Sequence, residues 1–386
     1  MNPEKTVKIA VIGCGARAHV VMNHLLREGN GRIKVASLYD PDREMMAEKS
    51  RLWDAAGALQ CGSHQEAIAA PGIEWVMVCS PNCAHKEHIL AAFAAGKHVF
   101  AEKPLATAME ECRTIHAAHQ QSGRLFATGF VLRYAPLYLK VRELLNSGRF
   151  GYIVAIDASE SIRPEHGGLI MAGWRRHRSV SGPHLLEKCC HDLDLLNWFA
   201  GALPVRAAAF GGRNFFIPAN AKISRKYGDL TFQKWSRFDP HTIGSPFTDD
   251  TDLMDNTVSI LEFGNQVRAA FFVTMSNAIP ERRMFFSCSE GTLKVDLYTG
   301  EIQYRTLGDE GRTTLNIPGD GHGGGDAVIA AALAESMLNH TAPQCGGDEG
   351  LRSTVVALAL DEAARSGVIY DLKPVWKSLN VDSTKN

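Results

Sequence analysis

Several hallmarks of other protein classes are missing from the sequence. It has no C-x-x-C pair, no block of basic residues interleaved with aromatics, and no apolar run long enough to cross a bilayer. The net charge of −1 at pH 7 gives no electrostatic reason to expect a nucleic-acid partner. The first residues lack the cationic and long apolar segments of a signal peptide. We therefore expect a cytoplasmic protein that binds neither nucleic acid nor a membrane.

Cysteine usage argues against a disulfide framework. The nine cysteines are odd in number and irregularly spaced, which indicates buried free thiols in a reducing compartment. Aromatic residues make up only 8% of the chain, whereas hydrophobic residues reach 45% and charged residues 22%, the proportions of an ordinary globular protein. Because 386 residues exceed the size of one ordinary core, we expect two to three domains.

The first third of the chain alternates between buried strands and helices. The apolar run at 7–12 predicts a strand covered on both faces, followed by a helix over 20–28 and a strand over 33–39. Further strands are predicted at 74–79, 98–101 and 125–128, and further helices at 42–52, 66–70, 84–95 and 109–121. This alternation predicts an α/β domain over residues 1–129, with a doubly wound parallel sheet of the Rossmann type.

After residue 129 the pattern changes to strands with one polar face. Alternating runs predict strands at 152–159, 205–210, 257–262, 267–275, 284–289, 291–296 and 301–305. Residues 214–250 are polar and without a period, which predicts a long irregular insertion that lines a site or contacts another subunit. We expect residues 130–386 to form a second domain of the α+β class.

The turn after the first strand carries a dinucleotide-binding signature. Residues 13–18 read G-C-G-A-R-A, which fits the pattern G-x-G-x-x-A. Gly13 allows the tight turn and Gly15 lets the backbone approach a pyrophosphate, while a small residue at position 18 permits close packing of helix and strand. Ala16 and Arg17 open the following helix, whose N-terminus attracts phosphate oxygens. The position between a buried strand and a helix supports this interpretation over a plain glycine-rich turn.

Asp40 closes the second strand, 22 residues after Ala18. A carboxylate at this position accepts hydrogen bonds from the ribose hydroxyls of NAD and repels the 2′-phosphate of NADP. Arg43 lies three residues further on and weakens that preference. We expect NAD as the cofactor, with NADP less favoured.

The segment Glu102-Lys103-Pro104 follows a predicted buried strand at the edge of the sheet where ligands gather in open α/β folds. A lysine held there by a proline can lose solvation, and its pKa then falls into a range useful for proton transfer. Lys103 could thus exchange a proton with a substrate hydroxyl. The alternative is a solvated lysine in an ordinary turn.

A second group of reactive side chains lies within the segment HLLEKCCHDLDLLNWF, which begins at position 184. On one continuous helix, Glu187, His191 and Asp194 would share a face through their i, i+4 and i, i+7 spacing. This combination suits proton transfer and recognition of hydroxyl groups. Without a second nearby histidine or a spaced cysteine pair we expect no metal. A capped, salt-bridged helix is the other interpretation.

Together these motifs resemble the Gfo/Idh/MocA family, the group of glucose–fructose oxidoreductase and inositol dehydrogenase. Further matches extend the resemblance over nearly the whole chain: Ser80-Pro81-Asn82 with His85, the run 95–99 leading to Glu102-Lys103-Pro104, Phe130 with Arg133 and Pro136, and Trp174 with Gly182. The resemblance implies a second domain with a large, open, mostly antiparallel sheet, whose face commonly makes a dimer. It therefore implies a homodimer or homotetramer.

The resemblance also assigns roles to individual residues. It implies Lys103, His191 and Glu187 as catalytic residues, although Glu187 stands where the family often carries an aspartate. The implied cofactor-binding residues are Gly13, Gly15, Ala16, Arg17, Asp40, Ser80, Asn82, His85, Glu102 and Lys103. From the resemblance and from the residue patterns together we expect substrate contacts from Arg133, Tyr134, Trp174, Arg175, His177, Glu187, His191 and Asp194.

Three functions remain open from the sequence. The first is NAD-dependent oxidation of a secondary hydroxyl on a sugar, sugar derivative or cyclitol. The second is an NAD-dependent glycoside hydrolase that recycles tightly bound NAD and uses His177 or Tyr134 as an extra base. The third, a non-enzymatic NAD sensor, fits poorly with the reactive residues at positions 103 and 191. The run Trp174–Arg178, with three arginines and a histidine, fits either an anionic substituent on the substrate or a solvated basic loop.

Overall fold

The computed structural model describes residues 5–232, 244–248 and 250–385. The chain divides into two compact units. Among the described residues, the first unit contains the chain up to Val131 together with Gly325–Thr354, and the second contains the remainder. This division differs from the boundaries expected from the sequence, because Gly325–Thr354 returns to the first unit.

The first unit is built on a six-stranded parallel sheet with the order β3-β2-β1-β4-β5-β6. The strands are β1 (Val7–Ile12), β2 (Ile33–Tyr39), β3 (Leu59–Gln60), β4 (Ile73–Val78), β5 (His98–Ala101) and β6 (Phe126–Thr128). The central strands β1 and β4 are apolar and almost entirely buried, as expected for a sheet covered on both faces. The predicted Rossmann-type sheet is therefore confirmed.

Helices connect the parallel strands. They are α1 (Ala16–Gly29), α2 (Arg43–Leu52), α3 (His64–Ala69), α4 (His85–Ala94) and α5 (Met109–Ser122). The side chain of Asp42 accepts hydrogen bonds from the backbone N–H groups of Glu44 and Met45, which satisfies the first turn of α2. Helix α1 begins four residues before the predicted helix at position 20, directly after the glycine-rich turn.

The second unit contains a nine-stranded sheet with the order β14-β13-β12-β11-β7-β10-β9-β8-β15. The strands are β7 (Ile153–Ser161), β8 (Pro204–Gly212), β9 (Asn256–Phe263), β10 (Arg268–Thr274), β11 (Glu281–Cys288), β12 (Gly291–Asp296), β13 (Glu301–Thr306), β14 (Thr313–Asn316) and β15 (Tyr370–Asp371). Every pairing in the described sheet is antiparallel except that of β7 with β10. The expected large, mostly antiparallel sheet is confirmed.

The two faces of this sheet differ in burial. The residues of β11 that alternate toward the inner face are Arg282, Met284 and Phe286, and all three are buried. The outer face carries exposed apolar side chains, described below.

The remaining helices are α6 (Pro136–Asn146), α7 (Pro164–Ala172), α8 (Arg178–Ser181), α9 (His184–Glu187), α10 (Cys190–Ala200), α11 (Ala221–Tyr227), α12 (Gly325–Asn339), α13 (Gly347–Ser366) and α14 (Lys373–Ser378).

The helix predicted to carry Glu187 and His191 on one face is not continuous. Glu187 ends the short helix α9, and α10 starts only at Cys190. The backbone N–H groups of Lys188 and Cys189 both donate to the carbonyl oxygen of His184. Helix α9 therefore ends in a closed turn, and α10 begins after it. The Lys188 ammonium lies 3.6 Å from the carboxylate of Glu160 on β7, which favours this break. The prediction that one continuous helix carries Glu187 and His191 on the same face is therefore wrong.

The predicted irregular insertion at 214–250 contains more order than its composition indicates. Its described part includes α11 and an aromatic cluster, in which the rings of Phe215, Phe216, Phe232 and Phe247 pack against one another. The carboxylate of Asp255 accepts hydrogen bonds from the backbone N–H groups of residues 214, 215 and 216, at 3.2, 2.9 and 2.8 Å. Residues 233–243 and 249 lie outside the described residues.

No helix in the described ranges combines the length and the apolar character that a membrane span requires.

Candidate active site

In the first unit the glycine-rich turn has the shape that a bound dinucleotide requires. Gly13 adopts φ +86°, and a Cβ atom there would lie 2.5 Å from the backbone nitrogen of Ser80, so only glycine fits. Gly15 is the N-cap of α1, and no side chain of the described residues caps this helix. The first-turn N–H groups are thus available for phosphate oxygens. These residues fit a dinucleotide cofactor.

Asp40 is tied to the same turn. One of its carboxylate oxygens accepts a hydrogen bond from the backbone N–H of Cys14 at 2.7 Å, and the other accepts from the N–H of Asp42 at 2.9 Å. The end of β2 is thereby fixed against the glycine-rich turn. Each carboxylate oxygen has a further lone pair, so the group can still accept hydrogen bonds from ribose hydroxyls.

Glu102 and Arg17 join the loop after β5 to the opening of α1. The guanidinium Nε of Arg17 donates to Glu102 at 2.7 Å, and its Nη1 donates to Asp326 at 2.5 Å. Burial opposes the charge of Arg17, but Glu102 and Asp326 raise its pKa above the ordinary value. Two carboxylates thus hold the Arg17 side chain. One of them belongs to Glu102, which directly precedes Lys103, and a cis peptide joins Lys103 to Pro104.

His85 and Ser80 lie together at the ends of the loops after β4 and β5. The ring of His85 contacts the carbonyl oxygens of Ser80 and Pro104, at 2.9 and 2.7 Å. The hydroxyl of Ser80 lies 2.9 Å from Nδ1 of His88. Asn82 is buried in the 3-10 turn that precedes α4. The sequence motif of serine, asparagine and histidine therefore corresponds to one contiguous part of the structure.

In the second unit, the predicted substrate-binding residues form ion pairs with one another. Arg133 donates two hydrogen bonds to Asp194, at 2.6 and 2.8 Å, in the bidentate geometry typical of arginine and carboxylate. Arg175 donates to Glu187 at 2.9 Å and stacks over the ring of Trp174, with 4.2 Å between guanidinium carbon and ring centroid. The longer side chain of Glu187 is thus used to reach Arg175.

The other basic residues of the run 174–178 also have acidic partners. Arg176 donates to Asp250 at 3.0 and 2.7 Å, and Arg178 pairs with the buried carboxylate of Asp361. Nε2 of His177 lies 3.7 Å from Asp250. Each arginine of this run therefore has a carboxylate partner.

His191 lies in α10 and is almost completely buried. Its ring centroid lies 5.9 Å from that of His322, which comes from the glycine-rich segment 319–325. The sequence had not pointed to His322 as a site residue. The signal was a single histidine among glycines, three of which, at positions 321, 323 and 324, have positive φ.

A buried cluster of charges that sequence analysis also missed supports the helix of His191. Arg282 donates two hydrogen bonds to Asp192, at 2.8 and 2.6 Å, and lies 3.3 Å from Glu160. Burial and the neighbouring Glu160 raise the pKa of Asp192 to about 7. Burial also opposes ionisation of Glu160, but Arg282 and Lys188 outweigh it and lower that pKa to about 2. The available signal was an arginine alternating with Met284 and Phe286 on an otherwise apolar strand face.

Tyr134 and Gly182 occupy fixed backbone positions. Tyr134 is buried at the end of the 3-10 turn Val131–Tyr134, and Gly182 adopts φ +75° between α8 and α9. Across the described residues, no group of three or more histidine, cysteine or acidic side chains is placed to hold a metal ion.

Comparisons with known proteins agree with both units. Residues 7–130 match the family described as an oxidoreductase family with an NAD-binding Rossmann fold, and residues 138–294 match the GFO/IDH/MocA C-terminal domain. A 1,5-anhydro-D-fructose reductase from Ensifer adhaerens is 33% identical over 318 residues, which cover 81% of this chain and 83% of that protein.

Two further relatives extend the comparison. An inositol 2-dehydrogenase from Pseudomonas savastanoi pv. phaseolicola (strain 1448A / Race 6) is 38% identical over 195 residues, or 50% of this chain and 54% of that protein. The chain therefore spans about half the length of this relative. The fold is similar to that of a levoglucosan dehydrogenase in complex with NADH and levoglucosan, with a TM-score of 0.78, 17% identity, and coverage of 96% of this chain and 100% of that one. The chain belongs to the Gfo/Idh/MocA family of oxidoreductases.

Proposed function

We propose that this protein is an NAD-dependent oxidoreductase that acts on a secondary hydroxyl of a sugar, sugar derivative or cyclitol. The contact of Arg17 with Glu102 carries the proposal, because it joins the dinucleotide turn to the loop that carries Lys103, the proposed acid–base residue. The names of the inositol 2-dehydrogenase and the 1,5-anhydro-D-fructose reductase support the substrate class.

The proposed cofactor is NAD. When bound, it supplies the acceptor for the hydride that leaves the substrate carbon. Asp40, held by the N–H groups of Cys14 and Asp42, places a carboxylate at the end of β2, where the 2′-phosphate of NADP would meet repulsion.

Lys103 and His191 are the proposed acid–base groups. One of them takes the proton of the substrate hydroxyl during oxidation and returns it during reduction. Glu187 and Asp194 are each fixed by an arginine, and so they offer carboxylate oxygens of defined orientation to neighbouring hydroxyls. Trp174 and Tyr134 complete the proposed substrate contacts.

A substrate without an anionic substituent fits these contacts best. The arginines at positions 175, 176 and 178 are each paired with Glu187, Asp250 or Asp361. A carboxylate, phosphate or sulfonate on the substrate would have to compete with these partners.

A panel of neutral sugars and cyclitols, followed at the NADH absorbance with NAD and with NADP, tests the proposal. Lys103→Ala should lower kcat by about a hundredfold or more, because a positioned acid–base group contributes about that much. Lys86→Ala, on helix α4, is the matched control and should keep the wild-type rate. Hydride transfer near the wild-type rate in Lys103→Ala would contradict the role of this lysine.

The pair of His191 and His322 favours a second candidate function. Two imidazoles 5.9 Å apart provide an acid and a base that a redox-neutral glycoside cleavage needs in addition to hydride transfer. In that reaction transient oxidation acidifies a C–H bond, the aglycone is eliminated, water adds, and the hydride returns to the sugar. Release of aglycone from glycosides without net NADH would support this function, whereas NADH equal in amount to the oxidised free sugar would exclude it.

We further propose a homodimer, or a homotetramer built from it, through the outer face of the second sheet. Cross-strand register places the exposed side chains of Phe210, Val258 and Phe272 in one row over three neighbouring strands, with Ile260 beside them. An apolar patch of this kind marks a protein contact. In light scattering, Phe272→Glu should lower the molecular mass relative to wild type, while Leu307→Glu, at an exposed apolar position outside these strands, should not.

A further inference from the structure

His85 is the first residue of α4 and is only 1% exposed. Its Nδ1 lies 2.7 Å from the carbonyl oxygen of Pro104, and its Nε2 lies 2.9 Å from the carbonyl oxygen of Ser80. Both partners are backbone carbonyls, which accept hydrogen bonds and never donate them. The two ring nitrogens therefore face two acceptors at ordinary hydrogen-bond distance.

A neutral imidazole cannot satisfy both contacts. It carries one N–H donor, and its second nitrogen presents a lone pair. At these distances a lone pair directed at a carbonyl oxygen is repulsive, and in a buried position water does not relieve the repulsion. Only the imidazolium form donates from both nitrogens. We propose that His85 is held as an imidazolium cation that clamps the loop after β4 to the loop after β5.

His88, one turn further along α4, shows the contrasting case. Its Nδ1 lies 2.9 Å from the hydroxyl of Ser80, a group that can either donate or accept. Burial, followed by the charges of His64 and His85, lowers the pKa of His88 to about 4. The same helix thus presents a neutral and a charged imidazole to the same residue, Ser80.

The surroundings of His85 contain both signs of charge. Titratable and charged groups on the elements around it include Lys86, Glu87 and His88 on its own helix, Cys83 in the turn before it, His64 and Glu66 on α3, His98 on β5, Glu102 and Lys103 in the loop after β5, and Glu110 and Glu111 at the start of α5. The two carbonyl contacts, and not any one of these groups, fix the protonated form.

The clamp makes His85 a positioning residue. One carbonyl belongs to the loop of Ser80 and Asn82, and the other follows Lys103 directly. Both loops carry residues to which the proposed function assigns cofactor binding or proton transfer. The two carbonyl contacts support a protonated His85 independently of the proposed function, whereas the effect of His85 on catalysis rests on that function.

Nuclear magnetic resonance of the ring nitrogens tests the protonation state. The full chain, which has 15 histidines, is labelled with 15N-histidine and recorded from about pH 6 to about pH 8.5, with and without NADH. The His85 signals are those absent from His85→Gln, and His88→Gln serves as the matched control. We expect an N–H on both ring nitrogens of His85 at neutral pH and above. One bare nitrogen at pH 7 would overturn the proposal.

If the His85→Gln variant fails to fold, a second measurement still tests the proposal. Side-chain-to-backbone correlations in 13C,15N-labelled wild-type protein assign the ring without any substitution. If His85→Gln folds, its dissociation constant for NADH should rise roughly tenfold, because one carbonyl loses its donor and meets an amide oxygen. His88→Gln should change it by less than about threefold.

The outcomes separate the two levels of the argument. One outcome is an imidazolium signal for His85 in the wild-type protein together with unchanged NADH binding in His85→Gln. This outcome would support the charged state of His85 and refute its role in positioning the two cofactor loops. Failure of every sugar and cyclitol to react would refute the proposed function and leave the nuclear magnetic resonance result in place.

Discussion

Arg17 in the first unit and Arg282 in the second have the same arrangement of partners but different surroundings. Each holds two carboxylates, and one of these belongs to the residue next to a proposed acid–base group: Glu102 precedes Lys103, and Asp192 follows His191. The side chain of Arg17 is 25% exposed, whereas that of Arg282 is 3% exposed.

This difference in exposure indicates different roles for the two arginines. The partners of Arg282 are also fully buried, so its charges were removed from water during folding, and each depends on the others for compensation. Arg17 lies in the dinucleotide turn, and its partner Asp326 keeps 18% of its side chain exposed. We expect Arg282 to govern the stability of the second unit and Arg17 to govern mainly the binding of the cofactor.

Arg282→Met gives the largest expected effect. Removal of the cation leaves Asp192 and Glu160 buried with too little positive charge, and breaking such a pair costs about 3–5 kcal/mol of unfolding free energy. Urea denaturation measures the loss. Arg283→Met is the matched control, because the neighbouring Arg283 pairs with the largely exposed Asp157 and should contribute less than about 1 kcal/mol. Equal stability of the two variants would contradict the comparison.

Arg17→Met should affect ligand binding more than folding. We expect the dissociation constant for NADH to rise roughly tenfold, because Glu102 loses its donor beside the cofactor turn, with a loss of about 1–2 kcal/mol in unfolding free energy. Calorimetric titration with NADH and urea denaturation measure the two quantities. Arg27→Met, at an exposed position of the same helix, should change neither. A stability loss as large as that of Arg282→Met would remove the distinction between the two clusters.

The smallest expected effect is a pH dependence in the second cluster. Burial raises the pKa of Asp192 from the ordinary 3.8 to about 7, although the charge of Arg282 opposes this shift. Between these two pH values the native state therefore keeps a proton that the unfolded chain has lost. The resulting stabilisation is complete below the unfolded pKa and is lost as the pH rises through about 7. Between pH 4 and pH 7 the unfolding free energy of Asp192→Asn should therefore rise by at least about 1 kcal/mol relative to that of the wild type. Parallel stability curves in urea denaturation would refute the raised pKa.

The sequence predicted the parallel sheet of the first unit for a physical reason. Strands such as Val7–Ile12 and Ile73–Val78 are buried on both faces, and their continuous apolar runs are visible without any knowledge of partners. The glycine-rich turn is equally local, because the positive φ of Gly13 and its close approach to Ser80 demand a residue without a side chain. The confirmed elements are those determined by neighbouring residues.

Long-range pairing explains what the sequence did not reveal. Arg282 and Asp192 are 90 positions apart, and no local pattern joins them. At the break after Glu187, Lys188 contacts Glu160 on strand β7, a contact that a helical periodicity over 184–199 does not include. His322 lies near His191 although the two residues are far apart in the sequence. These features depend on tertiary contacts.

Asp255 has a further consequence for the exchange kinetics of the insertion. Its carboxylate binds the amide protons of residues 214, 215 and 216, which have no partner strand in the described structure, directly beside the phenylalanine cluster. In heavy water these amides should exchange as slowly as those of the adjoining sheet, because each opening event must separate the carboxylate and the aromatic rings together. Protons at the start of a loop would then report the cooperative opening of an entire segment.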